Sequence, residues 1–165
     1  MKNSEFPRMH VSLYVTNIEK TVSFYRSFFG QEPSKVKPGY AKFTLSEPSL
    51  IISFVENKER VQPLFGHLGF QLETEEEMLE RLATVKQLGF GIKEEIGTNC
   101  CYAKQDKFWI SDPDGHRWEV YYLHEDVEWN DPEYSETAEA CCSPSMLVEP
   151  TNEKEPCCDP SGGCC

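Results

Sequence analysis

A histidine-led pattern occurs twice in this chain, and it restricts the fold more than any other feature. His10-Val11-Ser12-Leu13-Tyr14-Val15 alternates as a half-buried strand does, and His67-Leu68-Gly69-Phe70-Gln71-Leu72 repeats its order of histidine, apolar, small, apolar, variable, apolar. Each run leads into a predicted helix. Thr16 and Glu19 have the spacing of a capping box, and Ile18, Val22, Tyr25 and Phe29 recur at helical intervals until Gly30. Thr74 and Glu77 repeat the box, Met78, Leu82 and Val85 make the second stripe, and Gly89 ends it. Three strands follow in each half: 35–37, 40–45 and 50–55, broken at Pro38-Gly39 and Glu47-Pro48, then 91–96, 108–111 and 117–123 around the turn Asp112-Pro113-Asp114-Gly115. The reading is an α+β domain over 8–123, made of two βαβββ modules at about 8–57 and 66–123 and joined by 59–66.

Charge divides the chain at the same boundary. Beyond His124 there are eleven acidic residues against Lys154 alone, so this segment carries −10 of the net −12. With few large apolar residues to offset the entropy of ordering, 125–165 is expected to be a disordered tail. A net negative chain of this kind argues against nucleic acid or an anionic membrane as partner. The first residues, Met1-Lys2-Asn3-Ser4-Glu5-Phe6-Pro7, lack the apolar run of a secretory signal, so a cytoplasmic protein is expected.

All eight cysteines fall in adjacent pairs: Cys100-Cys101, Cys141-Cys142, Cys157-Cys158 and Cys164-Cys165. Neighbours bridge poorly because the intervening peptide restricts disulfide geometry, so reduced dithiols that take soft metals or metalloids are expected. Glu119 adds a hard ligand within an apolar strand. Together with His10 and His67, which open matching strands of the two modules, it would suit the two-histidine, one-carboxylate triad that binds ferrous iron and leaves positions open for oxygen and substrate. Each position also has a plainer reading. A histidine at a strand start is often just a satisfied polar residue, Glu119 could face solvent, and Cys100-Cys101 could be a small buried pair.

The phrase Asp112-Pro113-Asp114-Gly115-His116-Arg117-Trp118-Glu119-Val120, with the paired modules and the two histidines, resembles the vicinal oxygen chelate superfamily of glyoxalases, bleomycin- and fosfomycin-resistance proteins and extradiol dioxygenases. That resemblance covers about residues 8–123 and implies an open eight-stranded cup with a metal inside. Within it, Lys37-Pro38-Gly39-Tyr40-Ala41-Lys42-Phe43, Asn99-Cys100-Cys101-Tyr102-Ala103-Lys104-Gln105-Asp106-Lys107-Phe108-Trp109 and the tail of cysteine pairs look like the carbon–arsenic lyases grouped with cadmium-induced proteins. The resemblance implies iron(II)- and oxygen-dependent cleavage of the carbon–arsenic bond in trivalent organoarsenicals. His10, His67 and Glu119 would hold the metal, and Cys100 and Cys101 would hold arsenic on a loop. Tyr102 and Lys107 are catalytic candidates, with Lys104 and His116 as further proton-transfer groups. Two other classes stay open, a glyoxalase-like isomerase and a non-enzymatic cadmium or arsenic scavenger. Aligning 50–55 with 118–123 sets apolar Ile51 opposite Glu119, which favours three ligands over four. Pairing of the modules within one chain or across a homodimer also stays open.

Overall fold

The structure, a computed structural model, describes residues 7–131. Cys141, Cys142, Cys157, Cys158, Cys164 and Cys165 lie outside the described residues, as does most of the tail expected to be disordered; its first part, 125–131, is described and ordered, the last strand running to Asp126 and Asp131 bonding to Asn99. In the first module β1 (Met9–Val15) leads into α1 (Ile18–Phe29), then β2 (Lys35–Lys37), β3 (Tyr40–Leu45) and β4 (Leu50–Glu56). After a short 3₁₀ turn at Lys58–Arg60, the second module repeats the order with β5 (Leu68–Leu72), α2 (Glu75–Gln87), β6 (Ile92–Cys100), β7 (Ala103–Ser111) and β8 (Arg117–Asp126). Each module closes one four-stranded mixed sheet, ordered β1-β4-β3-β2 and β5-β8-β7-β6, with the first strand parallel to the last. These are the two βαβββ units the repeat predicts. Among the described residues, no helix is long and apolar enough to cross a membrane.

The helix ends show why the chain turns where it does. Asn17, not Thr16, caps α1: its side chain accepts from Lys20 N at 2.8 Å, and Gly30 ends the helix in a left-handed conformation. The Thr16 amide is instead committed across the molecule, donating to both carboxylate oxygens of Asp114. The second cap is the one expected, with Thr74 Oγ1 accepting from Glu77 N at 3.1 Å and Glu77 reaching back to Glu73 N.

One core serves both modules. Leu13, Ile52 and Phe54 from the first sheet, Phe108, Trp118 and Val120 from the second, and α1 and α2 side chains form a single buried cluster. The connection is polar as well as apolar. Tyr25 of α1 donates to Asp112 Oδ2 at 2.9 Å and accepts from Trp118 Nε1 at 3.0 Å, while its ring packs 4.3 Å from that of Phe54. Burial, together with the negative charge of Asp112, pushes the Tyr25 hydroxyl pKa well above its ordinary value.

Strand alternation then sorts the other face. Val11, Leu13 and Val15 of β1, and Trp118 and Val120 of β8, turn into the core, so His10 and Glu119 project from the opposite faces of their sheets.

Candidate functional site

Glu119 stands at the centre of a charged cluster. Its Oε2 lies 3.4 Å from His67 Nε2, and its Oε1 lies 3.1 Å from Lys107 Nζ. Lys107 is only 1% exposed and also approaches Glu95 Oε2 at 3.5 Å, while Glu95 Oε1 meets Lys93 at 2.7 Å. Burial raises the affinity of Glu119 for its proton, but the hydrogen bond from His67 and the charge of Lys107 outweigh it, and the carboxyl pKa lies below its ordinary 4.5. Glu95 behaves in the same way, with burial overcome by Lys93 and Lys107. Glu119 is therefore an ionised acceptor with one oxygen tied to a lysine and the other beside an imidazole.

Gly69 allows this approach. It pairs with Glu119 across β5 and β8, and a Cβ at this position would sit 2.8 Å from the Glu119 backbone oxygen. No side chain larger than hydrogen fits without displacing the strand that carries the carboxylate.

The first module repeats the arrangement in neutral form. His10 Nε2 lies 3.2 Å from Ser53 Oγ, across the β1–β4 pair. Because His10 pairs with Ile51 and Gly69 with Glu119, matching His10 to His67 makes Ser53 the counterpart of Glu119. This corrects the Ile51 alignment by one alternation of the strand. The consequence is unchanged, since neither residue is a carboxylate.

The donor types at His10, His67 and Glu119 suit a first-row divalent metal, and the structure brings two of them into contact. Among the described residues no group of three or more His, Cys, Asp or Glu is arranged around one metal position, and His10 stays with Ser53. A cleft of about 930 Å³ runs beside β1 and β5 and is lined by Val11, Leu50, Phe70 and Trp118, with His67 among its wall residues.

The cysteine pair sits at a hairpin tip rather than in a loop. β6 extends through Asn99 to Cys100, β7 starts at Ala103, and Cys100 pairs with Ala103, leaving Cys101 and Tyr102 as a two-residue turn. Both turn residues are left-handed, at φ 56° and 62°, the conformation that the strand twist demands and that Asn-Gly usually supplies. The polar residues after the pair suggest a loop because they are hydrophilic. They form a strand because Gln105 and Lys107 are buried and bonded: Gln105 Nε2 donates to Cys100 O at 2.9 Å, and Lys107 finds its carboxylates. Cys100 is buried and Cys101 exposed, with their sulfurs 3.5 Å apart and not bridged to one another.

Lys107 lies four positions along β7 from Ala103, roughly 13 Å of strand. Between tip and cluster the ladder is irregular on both sides, at Glu95/Thr98 and at Lys104/Gln105, and Gly97 there has φ 65°. The other candidates are placed differently. Tyr102 is exposed at the turn, Lys104 is 4.0 Å from Glu125, and His116 is buried against Asp112 at 2.9 Å. Glu95 and Ser53 escaped the sequence reading because a strand residue's partners across the sheet depend on register. Alternation alone could have flagged Glu95.

A family model described as the glyoxalase/bleomycin resistance protein/dioxygenase superfamily matches residues 9–120. The chain belongs to that superfamily. It is 44% identical over 153 residues to the "trivalent organoarsenical cleaving enzyme" of Bacillus sp. (strain MD1), covering 92% of this chain and 90% of that protein. It is also 35% identical over 147 residues to the "cadmium-induced protein CadI" of Mycobacterium tuberculosis (strain ATCC 25618 / H37Rv), covering 86% of this chain and 96% of that one. Among solved structures, a glyoxalase/bleomycin resistance protein/dioxygenase from Alicyclobacillus acidocaldarius superposes with a TM-score of 0.62 at 13% identity, over 76% of this chain and 96% of that one. That likeness supports the superfamily fold: two four-stranded sheets with two helices.

Proposed function

We propose that the protein is a non-haem iron(II) dioxygenase that cleaves the carbon–arsenic bond of trivalent organoarsenicals, such as methylarsonous acid and aromatic arsenicals, in organoarsenical resistance. The observation that carries the reading is one β6–β7 hairpin with soft and hard chemistry at its two ends. Its tip holds two sulfurs 3.5 Å apart, and its base brings Lys107 against Glu119, beside His67. The names of the relatives support the same substrate class.

In this reading Cys100 and Cys101, once reduced, bind trivalent arsenic as thiolates, releasing their protons as the arsenic's hydroxyl groups leave as water. A single arsenic atom joins both sulfurs only if they are already neighbours, as these are. The irregular ladder between tip and base is where the hairpin bends to bring the organic group toward Glu119. His10, His67 and Glu119 would hold the iron, and Lys107 keeps Glu119 ionised with Oε2 turned to His67. Iron(II) held there would supply the activation of oxygen. Tyr102, next to the arsenic-bearing pair, and Lys107 are the proposed orienting groups. For a methyl substituent the atoms balance as methylarsonous acid plus dioxygen giving formaldehyde plus arsenite. Ser53 at the position matching Glu119 supports a three-ligand site over the four-ligand arrangement of an isomerase.

The test uses anaerobic reduced protein loaded with iron(II) and methylarsonous acid, to which oxygen is then admitted. Arsenite release matched by oxygen uptake is expected. Turnover without iron or without oxygen overturns the proposal, and tight arsenical binding with no turnover leaves a scavenger.

A further inference from the structure

The residues after β8 return to the cysteine hairpin and bracket it. Asn99, immediately before the pair, donates from its backbone amide to Asp131 Oδ2 at 2.8 Å and from Nδ2 to Asp131 Oδ1 at 2.9 Å. Its carbonyl accepts from Asp131 N at 2.8 Å. On the other side of the pair, Tyr102 N donates to Asn130 Oδ1 at 2.8 Å and Tyr102 O accepts from Val127 N at 2.8 Å. Five hydrogen bonds from one short segment thus fix the peptides on both flanks of Cys100-Cys101. They do so at a turn whose two central residues are both left-handed without being glycine, a strained conformation that persists only where neighbours hold it.

We propose that residues 127–131 are a positioning brace for the substrate thiols, with Asp131 and Asn130 as positioning residues that set the Cys100–Cys101 sulfur spacing. The inference rests on the reading of that pair as the arsenical site. These bonds run to Asn99 and Tyr102, which flank the thiols, so the brace acts at the thiol end of the hairpin. A preorganised dithiol gains affinity because the ordering cost is met before the ligand arrives.

The experiment titrates the reduced full-length protein with phenylarsine oxide as the probe, with anaerobic iron(II) affinity measured in parallel. Asp131→Ala and Asn130→Ala should each weaken phenylarsine oxide binding by about tenfold, while iron(II) affinity stays unchanged. The double exchange Asn99→Asp with Asp131→Asn reverses donor and acceptor in the side-chain pair and keeps an oxygen for the residue-99 amide. It should restore most of the affinity, a rescue that loss of folding would not show. If Asp131→Ala and Asn130→Ala bind the probe as tightly as the unaltered protein, or lose iron(II) affinity in step, the brace is overturned while the thiol site stands. If the unaltered protein binds no probe, or Cys100→Ser binds it equally well, the thiol site and the brace both fall.

Discussion

Glu119 shows how one carboxylate is prepared by neighbours drawn from three strands. Lys107 balances two carboxylates from a buried position, so removing its charge leaves Glu95 and Glu119 facing each other. Lys107→Met should lower stability by about 3–5 kcal/mol in urea unfolding without metal, and a divalent cation bound at Glu119 should recover part of that loss. Gly69→Ala attacks the same residue sterically. Its Cβ would meet the Glu119 backbone oxygen at 2.8 Å, so the strand must shift. A loss of about 1–3 kcal/mol is expected, with weaker iron(II) binding in an anaerobic titration. His10, His67 and Glu119 stand out as candidates in the sequence because repeat position and strand alternation mark them. Ser53, Glu95 and Asp131 do not, because their importance lies in partners that only the fold brings beside them.

Among the elements, α1 and the β6–β7 hairpin carry most of what the sequence reading left open. α1 belongs to the first module, yet Tyr25 ties it to Asp112 and Trp118 of the second. Tyr25→Phe should keep the fold and cost about 1–3 kcal/mol, because Trp118 Nε1 loses its buried acceptor. The raised Tyr25 pKa also sets an alkaline limit. The folded state holds this proton more tightly than the unfolded chain, so its contribution is complete below pH 10.0 and fades as pH climbs toward the higher folded value. Stability of the unaltered protein should therefore fall more steeply than that of Tyr25→Phe above pH 10.0 in pH-dependent urea unfolding. The hairpin was misread as a loop for a physical reason. Hydrophilic residues signal a loop only when water satisfies them, and here Gln105 and Lys107 are satisfied by the sheet.

At the scale of the molecule, the proposed metal ligands divide between the two sheets, His10 on one and His67 with Glu119 on the other. A metal bound by all three would join the modules. Anaerobic iron(II) should raise Tm in a concentration-dependent way, equivalent to about 2.7 kcal/mol at a hundredfold excess over Kd. In His10→Ala the metal-free Tm should be retained and most of that rise lost, as differential scanning calorimetry would show.

The sequence by itself determined the two βαβββ modules, the second helix cap and the superfamily, because all of these are written in local periodicity and contiguous motifs. Only the tertiary structure decided that Ser53 answers Glu119, that Lys107 is buried between two carboxylates, and that residues 127–131 close on the cysteine turn. Those are contacts between segments distant along the chain, and they are selected only when the strands and the segment after β8 come together in the folded molecule.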